Sequence, residues 1–374
     1  DMLERCNENS SLPRSAPEIS EIHQDDRLVL SRTISAIENE KYSDADLQQL
    51  TELAECTGKT AVLGITGTGG AGKSSITDEI IRRFRQDSED TLAIAILAID
   101  PTRKKTGGAL LGDRIRMNAI NHPNIFMRSI ATRNSTVEIP ERLTDIINAI
   151  KEANFDLIII ETPGIGQGDA GIVPYVDTSL YVMTPEFGAA SQLEKIDMLD
   201  YADVFAINKF DRKGSEDALR DVSKQVQRNR EAFDSTPEAM PVFGTIASRF
   251  NDDGMTALYQ TLLAELRSKG LAVFEQQLKS VNTKVSSQRV LIIPAQRQRY
   301  LAEVAETVRE YHAAVTTQCQ LARECQQLQA SKKLLDESDQ DSSALDKLIE
   351  QREELLDDRA RKLLQNWPRL KQSY

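Results

Sequence analysis

The sequence predicts an α/β fold in which a mostly parallel sheet carries helices on both faces, and three features predict it. Gly67-Thr-Gly-Gly-Ala-Gly-Lys-Ser74 follows an apolar run, Ala61 to Thr66, and precedes an amphipathic stretch, Ser75 to Phe84. From 61 to about 270, strand-like and helix-like segments alternate, the pattern of parallel strands joined by crossover helices. Runs such as Leu157-Ile-Ile-Ile160 are apolar without alternation, as strands covered on both faces require.

The pattern predicts strands over 61–66, 91–100, 124–130, 156–162, 178–184, 204–208 and 241–246, and helices over 73–86, 140–152, 191–202, 216–233 and 254–268. Residues 1–57 are polar, with apolar positions at three- and four-residue spacing over 26–37 and 44–53, so they read as a helical lead-in that packs on something else. The α/β domain is placed at 58–270. Over 271–374 the composition shifts to Gln, Glu, Leu, Ala, Lys and Arg, predicting a helical arm with helices near 294–335 and 342–364, broken at Asp336 to Ser343. A polar helical hairpin buries little by itself, so the arm is expected to pack against a partner or, as a homodimer, a second copy.

A formal net charge of −12 argues against nucleic acid as the main partner, because phosphate binding needs a basic surface. No apolar stretch approaches the roughly 18 residues of a membrane span, and residues 1–6 lack a signal-peptide apolar region. A cytoplasmic location is expected. The start at Asp1 suggests a segment of a longer polypeptide. Cys6, Cys56, Cys319 and Cys325 form no Cys-x-x-Cys pair, and His23, His122 and His312 lie far apart. Free thiols are expected, and no zinc or nickel site.

Gly67 to Ser74 carries every fixed position of a phosphate loop. Glycines let the backbone turn its N–H groups inward, and the following helix adds its positive dipole end. Gly67, Gly69, Gly70, Ala71, Gly72, Lys73, Ser74 and Ser75 are therefore candidate nucleotide-binding residues. Lys73 would reach the β- and γ-phosphates and the Ser74 hydroxyl would ligate Mg²⁺. Asn208-Lys-Phe-Asp211, at the end of the strand Val204 to Ile207, is the Asn-Lys-x-Asp element that reads guanine. A carboxylate at Asp211 accepts from two guanine donors that adenine lacks, and such a site rejects the analogue strongly. Asn208 would tie base and phosphate loop together, Lys209 would cover the base plane, and Ala247 would offer its N–H to the guanine carbonyl. The expected substrate is GTP.

Three acidic residues lie between these motifs. Asp100 precedes Pro101, Asp113 falls within Thr106 to Met117, and Glu161 ends a strand. Carboxylates at the C-terminal ends of parallel strands converge on the ligand crevice, and Mg²⁺ takes a few of them with phosphate oxygens and water. Asp100 is also readable as a turn residue, and Asp113 as a helix N-cap. Lys73, Asp113 and Glu161 are the candidate catalytic residues. Gly107-Gly108 and Gly164-Ile-Gly166 supply hinges of the kind γ-phosphate-sensing loops need. Arg103-Lys-Lys105 reads either as a solvated loop or as a cation facing the phosphates. Gln167 stands three residues past Gly164 rather than beside it, which leaves the group that positions the attacking water unassigned.

Together, Gly67 to Ser74, Asp100-Pro-Thr102, Thr106 to Met117, Glu161 to Gln167 and Asn208 to Asp211 resemble the motifs of the GTPase chaperones of adenosylcobalamin-dependent acyl-CoA mutases, the methylmalonyl-CoA mutase-associated group. The Thr106 to Met117 block is the most specific, since Ras-like GTPases lack it. Asp100-Pro-Thr-Arg and Glu161-Thr-Pro-Gly look like the form fused within isobutyryl-CoA mutases. The resemblance implies that Ser74, Asp100, Asp113 and Glu161 surround Mg²⁺ with Thr162 behind Glu161, and that Arg116 approaches the nucleotide. It also implies switch loops near 100–117, 161–175 and 185–192. The partners implied are the substrate and cobalamin-binding domains of a mutase, in cis or in trans, and adenosylcobalamin would be held by those domains, not by this segment. Alternatives are a metallochaperone-type GTPase, which would need a His or Cys cluster, and a signalling GTPase, against which the Thr106 to Met117 block speaks.

Overall fold

The computed structural model describes residues 16–22, 26–57, 60–101, 117–132, 139–164, 170–187, 193, 196–287, 300–338 and 340–372. Seven parallel strands form one sheet: β1 (Ala61–Gly67), β2 (Ile94–Pro101), β3 (Ile125–Thr132), β4 (Leu157–Glu161), β5 (Thr178–Met183), β6 (Val204–Asn208) and β7 (Val242–Thr245). Their order is β3-β2-β4-β1-β5-β6-β7. Among the described residues, the α-helices of this region are α1 (Arg27–Glu38), α2 (Asp44–Cys56), α3 (Lys73–Asp87), α4 (Leu143–Glu152), the short α5 (Met198–Tyr201), α6 (Ser215–Asn229) and α7 (Asp253–Ser268). Every expected strand is present, within three residues at each end. Of the helix expected over 191–202, the described residues show helix at 193 and over Met198–Tyr201, with 196 and 197 between them non-helical, and 191, 192, 194 and 195 lie outside the described residues.

Both faces of the sheet are covered, which explains the continuous apolar runs. Along β2, Ile94, Ile96 and Ala98 enter the core beneath α3 and α7. The alternate residues Ala95, Leu97 and Ile99 enter the core beneath α1, α2 and α4. That alternation is the period of a strand, hidden in the sequence because neither face is polar.

The N-terminal helices are part of this second core. Leu30, Ile34 and Ile37, on one stripe of α1, are at most 2% exposed, and each contributes on the order of 1.5–3 kcal/mol by leaving water. Asp26 caps α1 by accepting from the Val29 N–H at 2.9 Å, and Ser43 with Asp46 forms a capping box on α2. Arg27 donates to the Ile125 carbonyl at 2.8 Å, bonding α1 to the edge strand β3.

The chain divides into two compact units, residues 1–289 and 290–374. Residues 277–287, placed with the arm in the sequence analysis, bond back into the first unit: Asp87 accepts from the N–H groups of Gln277 and Leu278, both at 2.7 Å. The second unit holds α8 (Tyr300–Glu337), α9 (Ser343–Glu354) and α10 (Asp358–Gln372). A single helix expected over 342–364 is two. Asp357 starts a new one by accepting from the Ala360 N–H at 2.5 Å, the bond an N-cap makes. On α8, Val304, Val308, Tyr311 and Val315 are exposed at three- and four-residue spacing. Among the described residues, no helix is long and apolar enough to cross a membrane.

Candidate nucleotide site

The site lies at the C-terminal ends of the strands, where the sheet's connections part to either side of β1, the position at which open α/β sheets bind ligands. β1 delivers the phosphate loop and α3 begins at its lysine. Gly72 holds φ at +89°, and a Cβ there would lie 2.5 Å from Asn208 Nδ2, so conformation and space both demand glycine. Lys73 is buried and spans the loop, donating to the carbonyls of Gly67 at 3.0 Å and Thr68 at 3.3 Å.

Glu161 joins this loop to the end of β4. Its carboxylate accepts from Ser74 Oγ at 2.6 Å and from Thr77 Oγ1 at 2.9 Å. Thr77 was not anticipated, although it stands one turn beyond Ser74 on the same helix face. The Thr162 hydroxyl, expected to back Glu161, donates to Thr66 Oγ1 at 2.9 Å and so ties the same two strand ends together. Gly164 lies against the phosphate loop: a Cβ on it would meet Lys73 Nζ at 2.5 Å and Gly69 Cα at 2.8 Å. Any side chain there would push into the lysine.

Asp100 ends β2, the neighbour of β4, and is buried. Ser74, Glu161 and Asp100 thus supply hydroxyl and carboxylate oxygens at adjoining strand and helix ends, the hard donors that Mg²⁺ takes. Asp113, Arg116 and Gln167, with the whole of the segments 102–116, 165–169 and 188–192, lie outside the described residues.

The Asn-Lys-x-Asp turn, expected to read the base, sits across the loop. Asn208 is buried; its Nδ2 donates to the Ala71 carbonyl at 2.8 Å, and its Oδ1 accepts from the Ala247 N–H at 3.1 Å and Thr245 Oγ1 at 3.4 Å. One side chain therefore holds the phosphate loop and the loop after β7 together. The Ala247 N–H, expected to face a guanine carbonyl, is engaged by Asn208 in this structure. Lys209, at φ +58°, donates to the Gly70 carbonyl at 2.7 Å and adds a second tie. Asp211 is exposed, beyond the end of β6.

A lysine-bearing phosphate loop, a carboxylate wired to its serine and an Asn-Lys-x-Asp turn on one sheet edge define a P-loop GTPase. The family model described as "Methylmalonyl Co-A mutase-associated GTPase MeaB" matches residues 30–346, and the chain belongs to that family. It is 56% identical to a fused isobutyryl-CoA mutase of Cupriavidus metallidurans and 51% identical to one of Nocardia farcinica, in both cases over all of this chain and 34% of the relative. The chain thus spans about a third of those curated relatives. A putative GTPase of Pyrococcus abyssi is 33% identical over 62% of this chain and 70% of its own length.

Proposed function

We propose that this chain hydrolyses GTP as the nucleotide-driven module of a cobalamin-dependent acyl-CoA mutase, and that GTP binding and hydrolysis gate cofactor loading and holoenzyme assembly. The observation that carries the proposal is the bond from Ser74 to Glu161 at 2.6 Å, with Gly164 packed against the phosphate loop. The start of the 161–175 switch is wired to the groups that would meet the γ-phosphate, so the switch would register whether that phosphate is present. The relatives that match the whole chain are named fused isobutyryl-CoA mutases, which makes isobutyryl-CoA the acyl substrate class of choice for the mutase partner.

In the hydrolysis, water attacks the γ-phosphate and the bond to the β-phosphate oxygen breaks. Lys73, already stretched across the loop, offsets the charge that gathers on the transferring group. Ser74, Asp100 and Glu161, with Asp113, would hold Mg²⁺, which when bound neutralises phosphate charge. Asn208 and Lys209 fix the base-reading turn against the phosphate loop, and Asp211 selects guanine. The exposed stripe on α8 supports an arm that packs against mutase domains or a second copy. With no residue assigned to position water, slow turnover in isolation is expected.

The test is co-expression with the cobalamin-binding and substrate domains, followed by measurement of adenosylcobalamin transfer into the mutase with GTP, GDP or a non-hydrolysable analogue. Nucleotide-dependent loading is expected. Equal loading under all three conditions would refute the gating function.

A further inference from the structure

Residues 284–287 run along the edge of the sheet beyond β7. Val285 bridges Gly244 in parallel register. The Gly244 N–H donates to the Lys284 carbonyl and the Ser286 N–H to the Gly244 carbonyl, both at 2.9 Å. This strap covers the edge of β7 with main-chain bonds.

Its side chains reach further. Ser286 Oγ donates to Asp252 Oδ2 at 2.7 Å, and the same oxygen accepts from the N–H groups of Ile246 at 3.2 Å and Met255 at 3.0 Å. Asp252 and Ser286 are both buried. Ile246 is the residue before Ala247, whose N–H is held from the other side by Asn208. Arg249, at the far end of the same loop, donates to the Ser287 carbonyl at 3.0 Å. The close fit is enforced by Gly254, where a Cβ would stand 2.1 Å from the Gly244 carbonyl and 2.7 Å from the Ser286 N–H.

The 246–249 loop is therefore held between two supports: Asn208 on the side of the phosphate loop, Asp252 with Ser286 on the other. The Ala247 N–H, which Asn208 Oδ1 holds in this structure, would turn to the guanine carbonyl when the base binds. A loop that is to read a base by its backbone must be held in place before the base arrives, or binding has to order it. We propose that Ser286, acting through Asp252, is a positioning residue for guanine recognition, so that the strap leading into residues 290–374 forms part of the nucleotide site's scaffold. The inference rests on the guanine-nucleotide reading above. It adds that base affinity is set in part by a residue from the segment beyond 270, far along the chain from every recognised nucleotide motif.

The test compares GDP and ADP affinity in the whole chain and its Ser286→Ala variant, by competition against a fluorescent nucleotide, with melting temperature as control. Loss of one hydrogen bond to a charged acceptor, with only part of its worth falling on binding and the rest on folding, is expected to weaken GDP about fivefold to tenfold. ADP has neither the guanine carbonyl nor its two donors, gains little from the loop, and should be unchanged, so the GDP preference narrows. Ser286→Cys, with a weaker donor of similar size, should give the same order at smaller amplitude, and it serves if the alanine variant fails to fold. An equal loss for both nucleotides means a general structural role and overturns the proposal. So does an unchanged GDP preference in both variants, which would leave the guanine reading intact. A wild-type chain without GDP preference would instead remove the guanine reading itself, and the brace with it.

Discussion

Replacing Asn208 with alanine tests the link between the two halves of the nucleotide site. The side chain makes three hydrogen bonds, to the Ala71 carbonyl, the Ala247 N–H and Thr245 Oγ1, and is 3% exposed. At about 1 kcal/mol net for each bond, the loop arrangement loses about 3 kcal/mol of support. These bonds join parts of the folded chain to one another, so the loss is shared between two readouts. If the loops keep their positions, unfolding becomes easier by the full amount. If they relax, the fold recovers some of the loss and nucleotide binding must supply it again. The fall in unfolding free energy from urea denaturation and the fall in GDP binding free energy from calorimetry should therefore sum to about 3 kcal/mol, a factor of about 100 if all of it falls on binding. Asn208→Asp keeps the acceptor but sets a carboxylate against the Ala71 carbonyl, and should lose more than alanine. A combined loss below about 1 kcal/mol for Asn208→Ala would refute the idea that this side chain couples the loops.

Lys73→Ala should lower GTP turnover by at least about 100-fold, the scale of one lost charge-stabilising donor; turnover near wild type in a phosphate-release assay would remove the phosphate-loop mechanism. Asp211→Asn should weaken GTP and favour xanthosine triphosphate, and unchanged GTP affinity would sink the base-reading assignment. Tyr259 donates to Asp87 at 2.8 Å, and its hydroxyl is driven far above its ordinary pKa by burial first and by the Asp87 bond and charge next. Tyr259→Phe should therefore cost about 1.5–3 kcal/mol in urea denaturation, with GDP affinity unmoved. Burial, opposed by the Ala119 N–H and Arg82, holds the Asp78 carboxyl above its ordinary range. A carboxyl raised on folding lends stability below its unfolded pKa, and that stability is lost as pH rises through the folded value. Asp78→Asn, which keeps an acceptor for the Ala119 N–H, should melt higher than wild type at neutral pH, with the gap closing on acidification; a gap that widens would contradict this.

Where sequence reading succeeded, the relevant physics is local. Gly72 must be glycine because of its own φ, and β2 and β4 are apolar because each is covered on both faces. The helix ends at Asp26 and Ser43 are set by caps a few residues away. The exceptions on the helical side have equally specific causes. Asp357 starts a new helix inside a run whose composition is uniformly helical, and Asp87 draws residues 277 and 278 back into the first unit although the composition has already shifted to that of the arm.

By itself the sequence determined the strand–loop–helix with the phosphate-loop pattern, the Asn-Lys-x-Asp turn, the family to which their combination belongs, and the alternation that makes a parallel sheet. Tertiary structure alone decided which distant residues meet. Thr77 joins Ser74 on Glu161 because α3 runs beside the end of β4. Asn208 bridges Ala71 and Ala247 because β1, β5, β6 and β7 are consecutive neighbours in the sheet. Ser286 reaches Asp252 because a strap adds itself to the edge at β7. Local patterns record the conformational preferences and burial of neighbours in the chain, whereas these hydrogen bonds depend on strand order and register, and any one of them is a small part of a balance made by the whole fold.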